Sequence, residues 1–348
     1  MATMTTQPMI QHITGPMNGP RAMRATALFV PLFLFLNACA PNFVDPGPPI
    51  HSAALYPSHF WTRDGIALSY RSWLPENTPP KAVIVALHGF NDYSAFFDKP
   101  ASFLTSHGIA SYAYDQRGFG ANGFRGRWFA TERFRMDAAD FTRAVAALHP
   151  DTPIYLLGES MGGAVAMTLA ARHDTPWITG TILSAPAVWS RQTMPFYQRM
   201  TLWLSAHTLP ALPVSGRGLK IKPSDNIEML IQLGRDPLVI KGTRVDAISG
   251  LVDLMDEAMS AAPKLNGRTL ILYGGRDEII RGGPTRTMLN RLPAADSSVR
   301  KLAVYPGGYH MLLRDLDALT VWKDIAHWLE NPARGLPSGA DKTPLVSE

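Results

Sequence analysis

Among 348 residues there is one cysteine, Cys39, so no disulfide can form within the chain and the fold must rest on packing and hydrogen bonds. No helical stretch offers the ~20 apolar residues that a membrane span requires. The apolar run from Ala25 to Leu36 is only twelve residues long. Charge of one sign is also scarce, with 33 basic residues against 28 acidic ones, and no basic helix or RNA-binding motif accompanies that small excess. A nucleic-acid footprint is therefore excluded. No internal repeat is visible, and no His, Cys, Asp or Glu cluster has metal-ligand spacing. Neither a metal nor another cofactor is implied.

What the chain does have is a sharp turn bearing a serine. The apolar run Pro153-Ile154-Tyr155-Leu156-Leu157 reads as a buried strand and leads into Gly158-Glu159-Ser160-Met161-Gly162-Gly163. A run of helix formers, Ala164 to Arg172, follows. Strand, turn and helix are the parts of a nucleophile elbow, where the serine takes a strained conformation and flanking glycines let strand and helix converge. Two further strand patterns end in loops with suitable partners. Thr269–Tyr273 precedes Gly274-Gly275-Arg276-Asp277-Glu278, and Val299–Tyr305 precedes Pro306-Gly307-Gly308-Tyr309-His310. Functional residues of an open parallel sheet collect at such strand ends. Ser160, Asp277 and His310 are the candidate catalytic residues. A serine hydroxyl needs a base to take its proton, and the base needs a carboxylate to fix its tautomer.

Two alternatives stay open at this level. Glu278 can replace Asp277, and His88, at the end of the strand Ala82–Leu87, can replace His310 as base. The backbone N–H groups of Phe90 and Met161 are the candidate oxyanion donors.

The order serine, acid, histidine and the segments around it resemble the α/β-hydrolase superfamily. The similarity is to its monoacylglycerol lipase and lysophospholipase branch, from about residue 60 to about residue 330. It rests on His88-Gly89 with Tyr93-Ser94, on Tyr114-Asp115-Gln116-Arg117-Gly118-Phe119-Gly120, on the elbow with its doubled glycine, and on the Asp277 and His310 loops. That branch often has histidine before the nucleophile and a small residue after His-Gly, where this chain has Glu159 and Phe90. Phe90 is expected to crowd the acyl entrance. The resemblance implies an α/β-hydrolase fold, a mostly parallel sheet covered on both faces, with a cap inserted at about 187–264. It also implies hydrolysis of carboxylic esters of monoacyl lipids, monoacylglycerol or lysophospholipid.

An acyltransferase or small-ester esterase with the same triad, an iminopeptidase-like enzyme, and a non-catalytic envelope-binding lipoprotein are the rivals. Product analysis with an acceptor alcohol separates the first of these from a hydrolase.

Outside that core, the amino terminus reads as an export signal. Arg21 and Arg24 precede the short apolar run, and Leu36-Asn37-Ala38-Cys39 closes it. This ending resembles the lipobox of bacterial lipoproteins, which implies a leader over 1–38, acylation of Cys39 (palmitate among the expected chains) and anchoring in the envelope. Ala40 then favours the outer membrane, facing the periplasm. Residues 39–52, with four prolines between Pro41 and Pro49, read as a stiff tether. The catalytic domain is expected over 53–331, and 332–348, rich in Pro, Gly and charge, reads as a disordered tail.

Expected strands include Phe60–Thr62, Ile66–Ser72, Ala110–Tyr114 and Ile178–Leu183. Expected helices are Met136–Leu148, Gly162–Arg172, Pro284–Arg291 and Leu316–Leu329. In the cap, Ala187 to Pro223 holds five basic residues (Arg191, Arg199, Arg217, Lys220, Lys222) and no acids. Trp189, Phe196, Met200 and Trp203 are candidate substrate contacts. Phe196, Met200 and Trp203 share one helical face, fit to line an acyl pocket, to touch lipid or to pack on the domain below. Asp246, Asp253, Asp256 and Glu257 read as a solvated face.

Overall fold

The computed structural model describes residues 40–216 and 218–345; Arg217, Cys39 and the leader before it lie outside the described residues. Short apolar runs become buried strands. β4 (Ala82–Leu87), β5 (Ile109–Tyr114), β6 (Ile154–Glu159) and β10 (Thr269–Gly274) are buried at every residue. Their side chains serve two separate cores. In β4, Val83, Val85 and Leu87 enter one, while Ala82, Ile84 and Ala86 enter the other. Burial on both faces explains why these strands read as unbroken apolar runs and not as alternating ones.

The remaining strands of the main sheet are β1 (Ala54–Leu55), β2 (His59–Trp61), β3 (Ala67–Trp73), β7 (Ile178–Ser184) and β11 (Arg300–Tyr305). Among the described residues the order is β1-β2-β3-β5-β4-β6-β7-β10-β11. Pairing is antiparallel from β1 to β5 across β2 and β3, and parallel from β5 to β11. β4 has β5 on one side and β6 on the other, so the chain changes direction there. A crevice opens at such a switch point, beyond the carboxyl ends of the strands.

Helices cover both faces. α2 (Thr131–Leu148), α3 (Met161–Ala170), α6 (Val245–Ala261) and α7 (Gly282–Leu289) pack on one core. α1 (Asp98–Ser106) and α8 (Ala318–Glu330) pack on the other. α1 was not among the expected helices; Pro100 falls in its first turn, where a missing N–H removes no helical hydrogen bond.

Four expectations need correction. The cap is shorter than 187–264, because α6 belongs to the main body. Its Val252, Leu254, Met255, Ala258 and Met259 enter the core, and Gly250 has no room for a Cβ against the Trp128 ring. The cap proper comprises α4 (Phe196–Thr208), β8 (Pro213–Val214), α5 (Ile227–Arg235) and β9 (Thr243–Arg244).

The presumed tether is docked: Phe43 and Val44 pack against the core, and Val44 N–H donates to Trp128 C=O at 2.8 Å. The presumed disordered tail is ordered as far as the described residues extend. Leu336 and Ala340 are buried, Ser338 donates to Asp324, and Asp341 meets Lys301 at 3.3 Å in a buried pair. Composition suggested a free end, but its polar groups have specific partners. Finally, the acids around α6 are a solvated face only in part: Asp253, Asp256 and Glu257 keep 40%, 31% and 44% of their side-chain surface exposed, and Asp246 does not belong to it. Asp246 is fully buried on Arg244, Asp253 and Asp256 both bind Arg191, and Glu257 takes Thr131 and Arg135.

Candidate active site

Ser160 sits between β6 and α3 with φ 53° and ψ −112°. A non-glycine residue in that region costs about 1–3 kcal/mol, which the surroundings must offset. They do so through backbone hydrogen bonds: Ser160 N–H donates to Ser184 C=O at 3.0 Å, and Ser160 C=O accepts from Ala164 and Ala187. The glycines flanking it have no alternative. A Cβ on Gly158 would collide with Gly162, and a Cβ on Gly162 would collide with the Leu87 carbonyl.

Strand end β4 brings the second segment. Gly89 approaches so closely that a Cβ there would lie 3.5 Å from that of Ser160. His88 is buried and engaged on both ring nitrogens. Gln116 N–H, which can only donate, points at Nε2 at 2.9 Å, so Nδ1 carries the proton and donates to Gly89 C=O at 2.8 Å. Burial holds the His88 pKa below the ordinary histidine value. With neither nitrogen available, His88 shapes the loop. The Asp115–Gly120 segment holds this loop from below. Gln116 also donates to His88 C=O, and Asp115 accepts from Ser94 N–H. Phe90 follows Gly89 with its ring turned toward Phe119 and Trp128, centroids 5.7 and 6.0 Å away. Met161 opens α3, so its N–H has no intrahelical acceptor.

The third and fourth segments meet each other. Asp277 Oδ2 lies 2.8 Å from His310 Nδ1, and both side chains are buried. The other carboxylate oxygen of Asp277 accepts from the N–H groups of Ile279 and Ile280. Glu278 is occupied elsewhere, accepting from Lys222 N–H. Asp277, not Glu278, therefore partners the histidine. Burial would push the His310 pKa down, yet the Asp277 carboxylate and, next, Glu159 hold it above the ordinary value. Gly274 permits the meeting, since a Cβ there would run into the Tyr309 backbone.

The cap residues part company. Trp189 is half-buried and packs against the core. Phe196, Met200 and Trp203 face outward instead, exposed by 70%, 48% and 53%. Packing on the domain below falls to Leu202 and Ala206 on the opposite side of α4. Arg191 is neutralised by Asp253 and Asp256, and Lys222 lies over the Tyr309 ring, leaving a weaker basic surface than the residue count implied. Glu159, Arg314 and Asp92 form a buried ion cluster beside the elbow. The chain order gave no sign of it, because Glu159 and Arg314 are 155 residues apart.

A mostly parallel sheet, a serine in a strained turn after one strand and a buried Asp–His pair joining the loops after two others are the parts of an α/β-hydrolase of the serine type. The chain belongs to the family described as Hydrolase_4, serine aminopeptidase, S33, whose model matches residues 78–317. It is 26% identical over 267 residues to the monoacylglycerol lipase of Mycolicibacterium smegmatis, covering 76% of this chain and 93% of that one. To the monoglyceride lipase of Homo sapiens it is 27% identical over 278 residues, covering 78% and 89%. A soluble variant of the monoglyceride lipase from Saccharomyces cerevisiae, solved with a substrate analog, has the same fold: TM-score 0.64 at 22% identity, over 84% of this chain and 98% of that one. The enzyme is a hydrolase of the carboxylesterase class.

Proposed function

We propose that this chain hydrolyses carboxylic esters of monoacyl lipids, monoacylglycerol or lysophospholipid, through Ser160, His310 and Asp277. The observation that carries the reading is the buried Asp277–His310 pair at 2.8 Å, which joins the loops after β10 and β11, together with a serine held at φ 53° after β6. Similarity to monoacylglycerol lipases supports the substrate class.

In this mechanism Ser160 Oγ attacks the acyl carbonyl as His310 Nε2 takes its proton. Asp277 fixes the tautomer from the Nδ1 side and stabilises the imidazolium. The oxyanion lies on the N–H groups of Phe90 and Met161, each such donor being worth roughly 10²–10³ in kcat. His310 returns the proton to the departing alcohol as the C–O bond breaks. Water, deprotonated by the same imidazole, then attacks the acyl-enzyme and frees the fatty acid.

The outward face of α4, which also carries the exposed Arg199, is proposed to rest on lipid. Arg127 binds Asn42, while Arg125 of the same loop binds Pro237 and Val239 of the cap. A lipid on Cys39, three residues before Asn42, would be attached within about 11 Å of Asn42. We propose an outer-membrane anchor on this side; among the described residues no helix is long and apolar enough to cross a membrane.

The test is fatty-acid release from monoacylglycerol, lysophospholipid and short p-nitrophenyl esters by the full chain and by Ser160→Ala. Loss of about 10⁴-fold or more in the variant is expected. Equal turnover in both would overturn the mechanism, and preference for short esters would overturn the lipid assignment.

A further inference from the structure

The ion cluster beside the elbow is not used by the ester chemistry above. Arg314 Nη2 lies 2.8 Å from Glu159 Oε1 and 2.7 Å from Asp92 Oδ2, with side-chain exposures of 7%, 2% and 7% for Arg314, Glu159 and Asp92. The guanidinium also lies over the Phe96 ring, 5.8 Å from its centroid.

Each member sits on a different catalytic segment. Asp92 belongs to the loop that carries Phe90. Glu159 directly precedes Ser160. Arg314 is four residues beyond His310, in a turn where its N–H donates to Met311 C=O at 2.8 Å. One guanidinium therefore joins side chains from the segments of the nucleophile, the base and one oxyanion donor, which lie far apart in the chain.

The cluster is also unbalanced, with two carboxylates against one guanidinium. Glu159 has a second oxygen, Oε2, buried with no hydrogen-bond partner among the described residues. Burial raises the Glu159 pKa above the ordinary glutamate value, against the pull of Arg314; in its ionised form the incompletely neutralised carboxylate favours positive charge nearby, which is what His310 acquires when it takes the serine proton.

We propose that Arg314 is a positioning residue that holds the three catalytic segments in register, and that Glu159 supplies the residual negative charge favouring the imidazolium of His310. This rests on the serine-hydrolase reading of the site. Asp277, Glu159 and Arg314 are the charged groups acting on His310, and Glu159 in turn faces Arg314, Asp92 and His310. Asp315, on the same loop, is engaged by Tyr309 N–H and the Ser224 hydroxyl. His88, on the β4 side, is engaged on both nitrogens.

Because Glu159 and Arg314 act on His310 with opposite sign, their removal should displace its titration in opposite directions. The readout is the rate at which a fluorophosphonate labels Ser160 in the full chain, from about pH 5 to 9. In that reaction the Oγ–P bond forms, the P–F bond breaks, fluoride leaves and the proton passes to His310. Kinetics on a short p-nitrophenyl ester accompany it.

Glu159→Gln should move the acid limb to lower pH by roughly half a unit, and Arg314→Gln should move it to higher pH. Arg314→Gln should also lower kcat by about 10²-fold with little change in KM, and Arg314→Lys should recover part of that loss. Folded variants whose limbs do not move, or move the same way, overturn the proposal while leaving the hydrolase reading intact. A wild-type chain that neither labels nor cleaves any ester overturns both. Should Arg314→Gln fail to fold, the nearly isosteric Glu159→Gln decides the charge role by its limb, and Arg314→Lys decides the positioning role by its kcat.

Discussion

At the carboxyl ends of β4, β6 and β10, backbone lies so close to backbone that Gly158, Gly162 and Gly274 have no room for a side chain. In the cap, by contrast, α4 runs for thirteen residues and fully buries one of them, Ala206, while Gly234 of α5 has nothing within 4 Å of a would-be Cβ. The first region holds reacting groups in place by excluding every alternative. The second presents a helix whose apolar side chains are left for something else to bury. Regions with few buried contacts open at lower free energy, so a cap of this kind suits an enzyme whose substrate arrives from a lipid phase.

The contrast can be broken most directly at the glycines. Gly162→Ala should cost more than about 4 kcal/mol, or prevent folding, because its Cβ meets a main-chain carbonyl. Gly234→Ala in the cap should instead be neutral, or stabilising by up to about 1 kcal/mol. Denaturant unfolding of the two side by side checks both, and equal costs would refute the comparison.

Asp277→Asn should leave the fold intact and lower kcat by about 10⁴-fold, since the histidine loses its tautomer. The wild-type pH profile should agree. The base works only when neutral and its pKa is raised chiefly by Asp277 against the effect of burial, so activity should fall as pH drops through a value above that of an ordinary histidine. An acid limb below the ordinary histidine value would contradict this.

Leu336→Ala, which empties a buried site beneath the second core, should cost about 2–4 kcal/mol in thermal or chemical unfolding. A loss near zero would mean that the end of the chain is not part of the folded body. The smallest effect on stability belongs to the cap. Phe196→Ala with Trp203→Ala should change unfolding by no more than about 0.5 kcal/mol for each exposed site. The same pair should cut turnover of long-chain esters more than that of short ones; equal losses would sink the lipid-facing role of α4.

Much of the fold could be read from residues alone, because a parallel strand buried on both faces leaves an unbroken apolar run. The expected Ala82–Leu87 coincides with β4, Val299–Tyr305 exceeds β11 by one residue at its start, and Pro153–Leu157 falls short of the end of β6 by two. The catalytic candidates were legible for a similar reason: each lies within five residues of the end of such a strand. Choices between neighbours were not. Glu278 and Asp277 are adjacent in the chain, and only the loop geometry decides which one faces His310. His88 stood as a rival base until both its nitrogens proved to be engaged. The ends misled because their proline, glycine and charge suggested solvation, whereas Val44, Leu336 and Asp341 find partners on distant strands and loops.

By itself, then, the amino-acid order determined what depends on local pattern: the strands, the elbow and its glycines, and the sequence of serine, acid and histidine. Tertiary structure alone decided which carboxylate holds the histidine, which way the apolar face of α4 points, and that Asp92, Glu159 and Arg314 share one buried charge cluster. Those outcomes depend on long-range approach between strand ends and loops, and on which side chains lose their water when the sheet closes, which local pattern does not encode.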